Sequence, residues 1–145
     1  MKIKAIFIDI DGVLTNGTKV YGTDGSVMAK SFNDRDWTAI KRFQSKDIYV
    51  CFLSGDPWNK IIAMNRNVPF YIRRDEKLGL VKELKYKPQE VVYVGDDLYD
   101  LDLLKWCRHP YCPADAIQEV KDVAFTLAVK GGEGVVADLY TVLYG

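Results

Sequence analysis

Residues 6–15 read Ile-Phe-Ile-Asp-Ile-Asp-Gly-Val-Leu-Thr, an apolar run that ends in two carboxylates and a glycine. Side chains two positions apart in a strand point to the same face, so we expect Asp9 and Asp11 to lie side by side. In an open α/β sheet, ligands bind outside the carboxyl ends of the strands. The stretch therefore predicts a buried strand that presents two acids to a ligand.

Two carboxylates this close repel each other, which favours either a raised pKa or a bound cation. Magnesium and similar hard cations take oxygen ligands of this kind. The alternative is a strand that ends in an ordinary polar turn, with Asp11 and Gly12 as the turn residues. The first stretch alone leaves both interpretations open.

A second acidic cluster follows another apolar run. Residues 91–104 read Val-Val-Tyr-Val-Gly-Asp-Asp-Leu-Tyr-Asp-Leu-Asp-Leu-Leu. Two parallel strands end at the same edge of a sheet, so we expect Asp96 to join Asp9 and Asp11 around one cation.

The other acids of this cluster have a second explanation. Acids in a first helical turn interact favourably with the positive end of the helix dipole, and a capped helix would account for them. We accept that explanation for Asp102. For Asp97 and Asp100 a cap and a role in the site are both left open.

Two smaller signals lie between the acidic clusters. The apolar residues 48–53 are followed by Ser54 and Gly55, so a hydroxyl and backbone N–H groups lie at another strand end, where they can hold a phosphate oxygen. An ordinary helix cap is the alternative there. Lys77 begins an apolar helical pattern, and its alternative is a solvated charge.

The order of these signals along the chain resembles the haloacid dehalogenase superfamily of phosphotransferases. The resemblance covers nearly the whole chain and implies magnesium-dependent phosphoryl transfer through an aspartyl phosphate. It is carried by a first motif at residues 9–15, by Ser54 and Lys77 in the expected order, and by a last motif of Gly95, Asp96 and Asp97 with Asp100.

The resemblance also implies roles for the acids. Asp9 would be the nucleophile, and Asp11 would act first as general acid and then as general base. Magnesium would be held by the side chains of Asp9 and Asp96 and by the backbone carbonyl of Asp11.

Four further residues would assist this chemistry. Lys77 and Ser54 would neutralise and orient the transferring oxygens, because positioning and charge stabilise this transition state. Asp97 and Asp100 would be supporting groups that hold Lys77 or the waters of the metal.

Within the superfamily, residues 19–35 and the glycine-rich residues 130–136 resemble the capless branch. That branch includes phosphatases of keto-deoxy sugar acid phosphates, either the eight-carbon octulosonate 8-phosphate or a nine-carbon 9-phosphate. It also implies a homotetramer, in which the hairpin-like residues 19–32 and the segment 131–134 close the site of a neighbouring subunit.

Five residues are candidates for binding the sugar acid: Asn33, Arg35, Gly55, Asp56 and Glu133. The octulosonate branch usually carries arginine at the positions of Asp56 and Glu133, and the nine-carbon branch carries acids. Carboxylates accept hydrogen bonds from hydroxyl groups, so these two acids favour the nine-carbon substrate, with the eight-carbon substrate second. For Asp56, a capping acid at a helix N-terminus next to Pro57 is an alternative that stays open.

Composition is typical of one globular domain and excludes several partners. The 145 residues include twenty basic and twenty acidic side chains, and neither sign forms a block that would bind nucleic acid. The start does not read as a signal peptide, and no apolar stretch reaches the length of a membrane span. Three cysteines, an odd number, fit reduced thiols. We therefore expect a cytoplasmic protein.

Alternating strand and helix patterns predict the α/β class: a Rossmann-like three-layer sandwich with a mainly parallel sheet, an inserted β-hairpin and no large cap domain. We expect residues 1–145 to form this single domain. The predicted strands are 5–8, 49–53, 91–94 and 124–127, and the predicted helices are 36–44, 58–65, 78–84, 99–106 and 135–143.

One alternative function belongs to a different class. The same fold could serve as a non-catalytic, metal-binding regulatory domain, or as an assembly domain in which the hairpin would be the working part. The acids and the lysine of the motifs make an enzyme the better prediction, and phosphatase activity would separate the two.

Overall fold

The computed structural model describes residues 2–145, in which a six-stranded parallel sheet carries helices on both faces beside a two-stranded hairpin. No helix of this part of the chain has the length and apolar character that crossing a bilayer needs. The strands are β1 (Ala5–Asp9), β2 (Val20–Tyr21), β3 (Val27–Ala29), β4 (Tyr49–Ser54), β5 (Phe70–Ile72), β6 (Val91–Val94), β7 (His109–Cys112) and β8 (Phe125–Thr126). The α-helices are α1 (Asp34–Gln44), α2 (Lys60–Asn65), α3 (Lys77–Glu83), α4 (Leu101–Trp106), α5 (Gln118–Lys121) and α6 (Val135–Tyr144).

The strand order places β1 in the middle of the sheet. The order is β5-β4-β1-β6-β7-β8, and every neighbouring pair is parallel. The chain runs outward from β1 through β4 to β5, and then returns to build β6, β7 and β8 on the other side. Such a reversal opens a crevice at the carboxyl ends of the strands, where ligands bind in sheets of this kind.

Alternate residues of the central strands pack into two separate cores. Ile6 and Ile8 face a layer that includes α1, α2 and α6, whereas Ala5 and Phe7 face a layer that includes α3, α4 and α5. A parallel sheet that is covered on both faces needs apolar residues at every position, which the central strands supply. The predicted three-layer α/β fold is confirmed.

The structure adds elements that the sequence patterns did not predict. These are β5, β7 and α5, each of three or four residues. Pro110 lies within β7 opposite Tyr93, and because proline lacks an N–H group it argues against a strand. The predicted strand at 124–127 is shorter in the structure, where β8 covers only Phe125–Thr126.

The predicted hairpin is also present. Strands β2 and β3 are antiparallel, and the turn between them is closed by a bond from the Gly22 N–H to the Ser26 carbonyl at 2.8 Å. Gly25 has φ of +84°, which a residue with a side chain adopts at a cost. The hairpin leaves the side chains of Val20, Tyr21 and Met28 exposed.

A buried acid joins the two ends of the chain. Asp36, in the first turn of α1, is only 1% exposed, and its Oδ1 accepts bonds from the N–H groups of Val136 at 2.9 Å and Ala137 at 3.1 Å. These amides belong to the first turn of α6, so Asp36 caps a helix one hundred residues away. Burial raises the pKa of Asp36 to about 6, although the two amide bonds oppose the rise.

Asp36 gives the stability of the protein a defined pH dependence. Its pKa is higher in the folded chain than in the unfolded chain, so the folded state binds more protons between about pH 4 and pH 6, and stability falls as pH rises through that window. Asp36→Asn keeps the acceptor but cannot titrate. In urea unfolding, we expect the stability of the wild type relative to Asp36→Asn to fall by on the order of 2 kcal/mol from pH 4 to pH 7. A pH-independent difference would contradict this assignment.

Candidate active site

A cavity of about 230 Å³ lies at the carboxyl edge of the central strands. Asp9 ends β1, Ser54 ends β4, and Asp96 follows β6, so the sheet itself brings these three residues to one place. The predicted residues that line the cavity are Asp9, Asp11, Ser54, Gly55, Asp56, Lys77, Asp96, Asp97 and Asp100. Lys19, Arg74 and Tyr99 line it as well and were not predicted.

The deepest part of the cavity is crowded with carboxylates. Ligand atoms of Asp9, Asp96 and Asp100 lie within 4.8 Å of one another. Burial, and then repulsion from Asp100, raise the pKa of Asp9 well above its usual value, although Lys77 opposes the rise. Burial raises the pKa of Asp96 to about 7. A divalent cation would relieve this crowding, and the oxygen donors are those that magnesium prefers.

Both carboxylate oxygens of Asp100 accept hydrogen bonds from other groups of the protein. One oxygen accepts bonds from the N–H groups of Asp96 at 2.9 Å and Asp97 at 3.1 Å. The other accepts from Lys77 Nζ at 2.6 Å and from the hydroxyl of Tyr93. Since both oxygens are engaged, Asp9 and Asp96 are the side chains best placed to hold a cation.

Lys77 is buried, although the alternative for it was a solvated charge. Its side chain is 5% exposed, and its Nζ lies 2.6 Å from Asp100 and 3.7 Å from Asp9. Burial works against its charge, but the carboxylates of Asp9 and Asp100 outweigh burial and raise the pKa of Lys77. A positive charge is therefore fixed beside Asp9.

A second lysine, Lys30, contacts Asp11 and Asp56, two other acids that line the cavity. Its Nζ contacts both oxygens of Asp11, at 2.9 and 3.0 Å, and also bonds to Asp56 at 2.8 Å and Asn59 at 2.9 Å. The side chain is fully buried, with its Nζ 5.1 Å from the centre of the Trp58 ring. Lys30 directly follows β3, so the hairpin is tied to Asp11. A single lysine after a short strand gives no sequence signal for such a role.

Ser54 is buried, and its hydroxyl hydrogen remains available to a ligand. The residue is 1% exposed, and its Oγ accepts bonds from the Asp56 N–H at 3.1 Å and from Asn59 Nδ2 at 2.9 Å. Because both bonds use the oxygen as acceptor, the hydroxyl can still donate to a ligand in the cavity. Asn59 also donates to Asp11 at 3.0 Å and so connects the two groups.

The glycine-rich segment packs against the first motif. At Gly12, where φ is +86°, an added Cβ would overlap the carboxylate of Asp96. A Cβ at Gly131 would likewise overlap the backbone carbonyl of Gly12, and the Gly132 N–H donates to the Val13 carbonyl at 3.0 Å. These glycines allow the loop after β1, the segment at 131–132 and Asp96 to approach one another closely.

Two acids of the cavity act as caps. Asp97 precedes a short 3₁₀ turn and accepts the Leu98 N–H at 2.7 Å. Asp56 accepts the Trp58 N–H at 3.0 Å, while its other oxygen bonds to Lys30 and lies 3.7 Å from Lys19. Burial works against the charge of Asp56, but the bonds from Lys30 and Trp58 lower its pKa. Its oxygens are thus largely occupied within the protein.

Three predicted substrate-binding residues lie outside the cavity of their own chain. Asn33 caps α1 by accepting the Arg35 N–H at 2.9 Å, and the Arg35 side chain is exposed in a groove between α1 and α6. Glu133 is exposed and accepts the Lys130 N–H at 3.3 Å. Gly55 and Asp56 are the only members of the predicted substrate set that line this cavity.

Comparison with known proteins agrees with this geometry. A family profile described as haloacid dehalogenase-like hydrolase matches residues 78–139. The 3-deoxy-D-manno-octulosonate 8-phosphate phosphatase of Haemophilus influenzae is 33% identical over 145 residues, which cover 94% of this chain and 80% of the relative.

Solved structures show the same fold. The cobalt-bound phosphatase from Haemophilus influenzae has a TM-score of 0.88 at 29% identity, with 98% of this chain and 87% of the other covered. The 3-deoxy-D-manno-octulosonate 8-phosphate phosphatase of Moraxella catarrhalis, solved in complex with magnesium, phosphate and KDO, has a TM-score of 0.87. The match covers 97% of this chain and 85% of the other chain. At 21% identity this similarity shows the fold alone. From the sequence relationship and the shared fold, the chain belongs to the capless branch of the haloacid dehalogenase-like hydrolases and is a phosphoric monoester hydrolase.

Proposed function

We propose that this protein is a magnesium-dependent phosphatase that hydrolyses a keto-deoxy sugar acid phosphate through an aspartyl phosphate. The observation that carries the proposal is the convergence of Asp9, Asp11, Ser54, Lys77 and Asp96 on one cavity. The relative from Haemophilus influenzae, which acts on 3-deoxy-D-manno-octulosonate 8-phosphate by its name, supports the substrate class.

In the first step, a carboxylate oxygen of Asp9 forms a bond to phosphorus while the bond from phosphorus to the sugar oxygen breaks. An anion must here approach an anion, so the positive charge of Lys77, 3.7 Å from Asp9, lowers the electrostatic barrier. The buried hydroxyl of Ser54 donates to an oxygen of the transferring group. Its fixed position means that little reorganisation is needed during the reaction.

Asp11 moves the proton in both steps. It gives a proton to the departing sugar oxygen, and then takes one from the water that cleaves the aspartyl phosphate. Hydrogen bonds from Lys30 and Asn59 hold the carboxyl group of Asp11 in one orientation.

The side chains of Asp9 and Asp96, with the carbonyl of Asp11, would hold magnesium. Bound there, the cation would neutralise these carboxylates and polarise the phosphoryl oxygens. The cobalt-bound form of the Haemophilus influenzae phosphatase supports a metal in this fold.

Replacement of the nucleophile tests the mechanism. We expect Asp9→Asn to lower kcat by at least about a thousandfold, because the amide keeps the shape of the side chain and loses its nucleophilic charge. Asp11→Asn should also be severe. Released phosphate measures the rate, mass spectrometry should find the phosphoenzyme at Asp9, and the exposed Asp34→Asn serves as control. Hydrolysis by Asp9→Asn at a rate close to that of the wild type would contradict the mechanism.

The structure changes the order of the proposed substrates. The nine-carbon preference rested in part on Asp56, but both oxygens of Asp56 are bonded within the protein. The similarity in sequence is to octulosonate 8-phosphate phosphatases. We therefore propose the eight-carbon substrate first and the nine-carbon 9-phosphate second.

A panel of phosphate esters tests this choice. With magnesium present, we expect the highest kcat/KM for the eight-carbon keto-deoxy sugar acid phosphate, a lower value for the nine-carbon homologue, and poor turnover of hexose phosphates and nucleotides. Released phosphate gives the rates. A clear preference for hexose phosphates would refute the substrate class and leave the mechanism intact. If no ester of the panel is hydrolysed, the result would support the non-catalytic alternative.

We also propose that residues 1–145 act as one catalytic domain and assemble into a homotetramer. The hairpin supports assembly, because Val20, Tyr21 and Met28 present exposed apolar side chains on a short two-stranded ribbon. Paired with a neighbouring subunit, this surface would be buried, and the exposed Glu133 would be free to face the neighbour's site. A cytoplasmic location suits the three buried thiols, among which the described chain forms no disulfide.

Two matched methionines test the role of the hairpin. Met28 on the hairpin is 66% exposed and Met64 on α2 is 65% exposed. We expect Met28→Lys to lower the mass measured by light scattering and the phosphatase rate together, because it places a charge in the proposed interface. Met64→Lys should change neither. A wild-type chain that is monomeric and fully active would overturn the assembly.

A further inference from the structure

The cavity is small for a site that binds a sugar acid phosphate. Its volume of about 230 Å³ lies below the range of about 300–1,000 Å³ typical of small-molecule sites. The phosphoryl group must lie at the buried end, where Asp9, Ser54 and Lys77 converge. The remainder of the substrate therefore extends to the mouth, whose exposed side chains include Arg74 and Tyr99.

Charge restricts where the carboxylate of such a substrate can lie. Six carboxylates and three cationic side chains line the cavity, so the protein carries an excess of negative charge there. The ammonium of Lys77 is paired with Asp100, and that of Lys19 lies 3.7 Å from Asp56. Within residues 2–145 the Arg74 guanidinium forms an ion pair with no carboxylate.

Two neighbours fix the position of Arg74. Its guanidinium carbon lies 5.6 Å from the centre of the Tyr99 ring, within the range of a cation–π contact. On the other side is Gly55, where an added Cβ would be 2.9 Å from the Arg74 Cβ and 3.0 Å from its Nε. Gly55 does not have positive φ, so its backbone does not require glycine. The missing side chain provides the space in which Arg74 lies along the mouth.

We propose that Arg74, placed by Tyr99 and Gly55, binds the carboxylate of the substrate at the mouth of the cavity. A guanidinium offers two parallel N–H donors that match the two oxygens of a carboxylate, which a lysine ammonium cannot do. The phosphoryl group is held at the opposite, buried end. Arg74 thus selects esters that carry an acid at the far end of the chain. This inference rests on the proposed function for its substrate class.

A pair of ligands that differ only in the acid tests Arg74. The two are 6-phosphogluconate and glucitol 6-phosphate, which share six carbons and the phosphate and differ at C1 as carboxylate and hydroxymethyl. Each is measured as a competitive inhibitor of p-nitrophenyl phosphate hydrolysis with magnesium present. The wild type should bind 6-phosphogluconate more tightly, and Arg74→Met should weaken that inhibitor by about tenfold with much less effect on glucitol 6-phosphate.

Two further variants separate recognition from general damage. Arg74→Lys keeps the positive charge and loses the paired N–H donors. We therefore expect it to retain only part of the preference for 6-phosphogluconate over glucitol 6-phosphate. Arg73→Met is the matched control, because Arg73 is the adjacent exposed arginine and does not line the cavity. It should leave both inhibition constants unchanged.

Three outcomes would overturn the inference: equal weakening of both inhibitors by Arg74→Met, no weakening of either, or no preference for the acid in the wild type. The proposed function fails separately, when the wild type cleaves hexose phosphates better than keto-deoxy sugar acid phosphates. The inhibitor ratio requires only p-nitrophenyl phosphate hydrolysis, so the two failures are distinguishable.

Discussion

The carboxylate of Asp100 holds the catalytic end of this protein together. It accepts hydrogen bonds from the hydroxyl of Tyr93 in β6, from the ammonium of Lys77 in α3, and from the backbone amides of Asp96 and Asp97 in the loop that follows β6. Removing one partner from a buried ion pair typically costs about 3–5 kcal/mol, because the other charge is left uncompensated. The position of the Asp96 loop and that of Lys77 are therefore not independent. The proposed binding of a cation and a phosphate at the same time would gain from this fixed spacing.

Two buried lysines divide the acids of the site into two groups. Lys77 compensates Asp9, the proposed nucleophile, and Asp100, whereas Lys30 compensates Asp11, the proposed proton donor, and Asp56. The chain has no formal net charge, yet the negative charge concentrates here because a parallel sheet brings its strand ends together. Each half of the proposed reaction thus has its own counter-ion. The charges are placed before any ligand arrives, which is the arrangement that electrostatic catalysis requires.

The sequence predicted what depends on strand ends and motif order. Asp9, Ser54 and Asp96 were found because each follows an apolar run, and Lys77 was found from its place between the motifs. Lys30, Asn59 and Arg74 were missed, because a side chain that reaches the site across the fold leaves no periodic signal in its own segment. The cap that Asp36 provides for α6 joins residues one hundred positions apart, and no local pattern indicates such a bond. Pro110 concealed β7 for a different reason, since it lacks the donor that a strand normally uses.

The ammonium of Lys30 makes the hairpin inseparable from the reaction centre. Opening the hairpin would draw a buried ammonium away from Asp11, Asp56 and Asn59 and leave two partly buried acids without compensation. Local opening on that scale is a sub-global unfolding event rather than the swing of a loose flap. A hairpin transplanted from another protein would therefore have to bring a cation to the same point in space. Shape alone would not make it interchangeable.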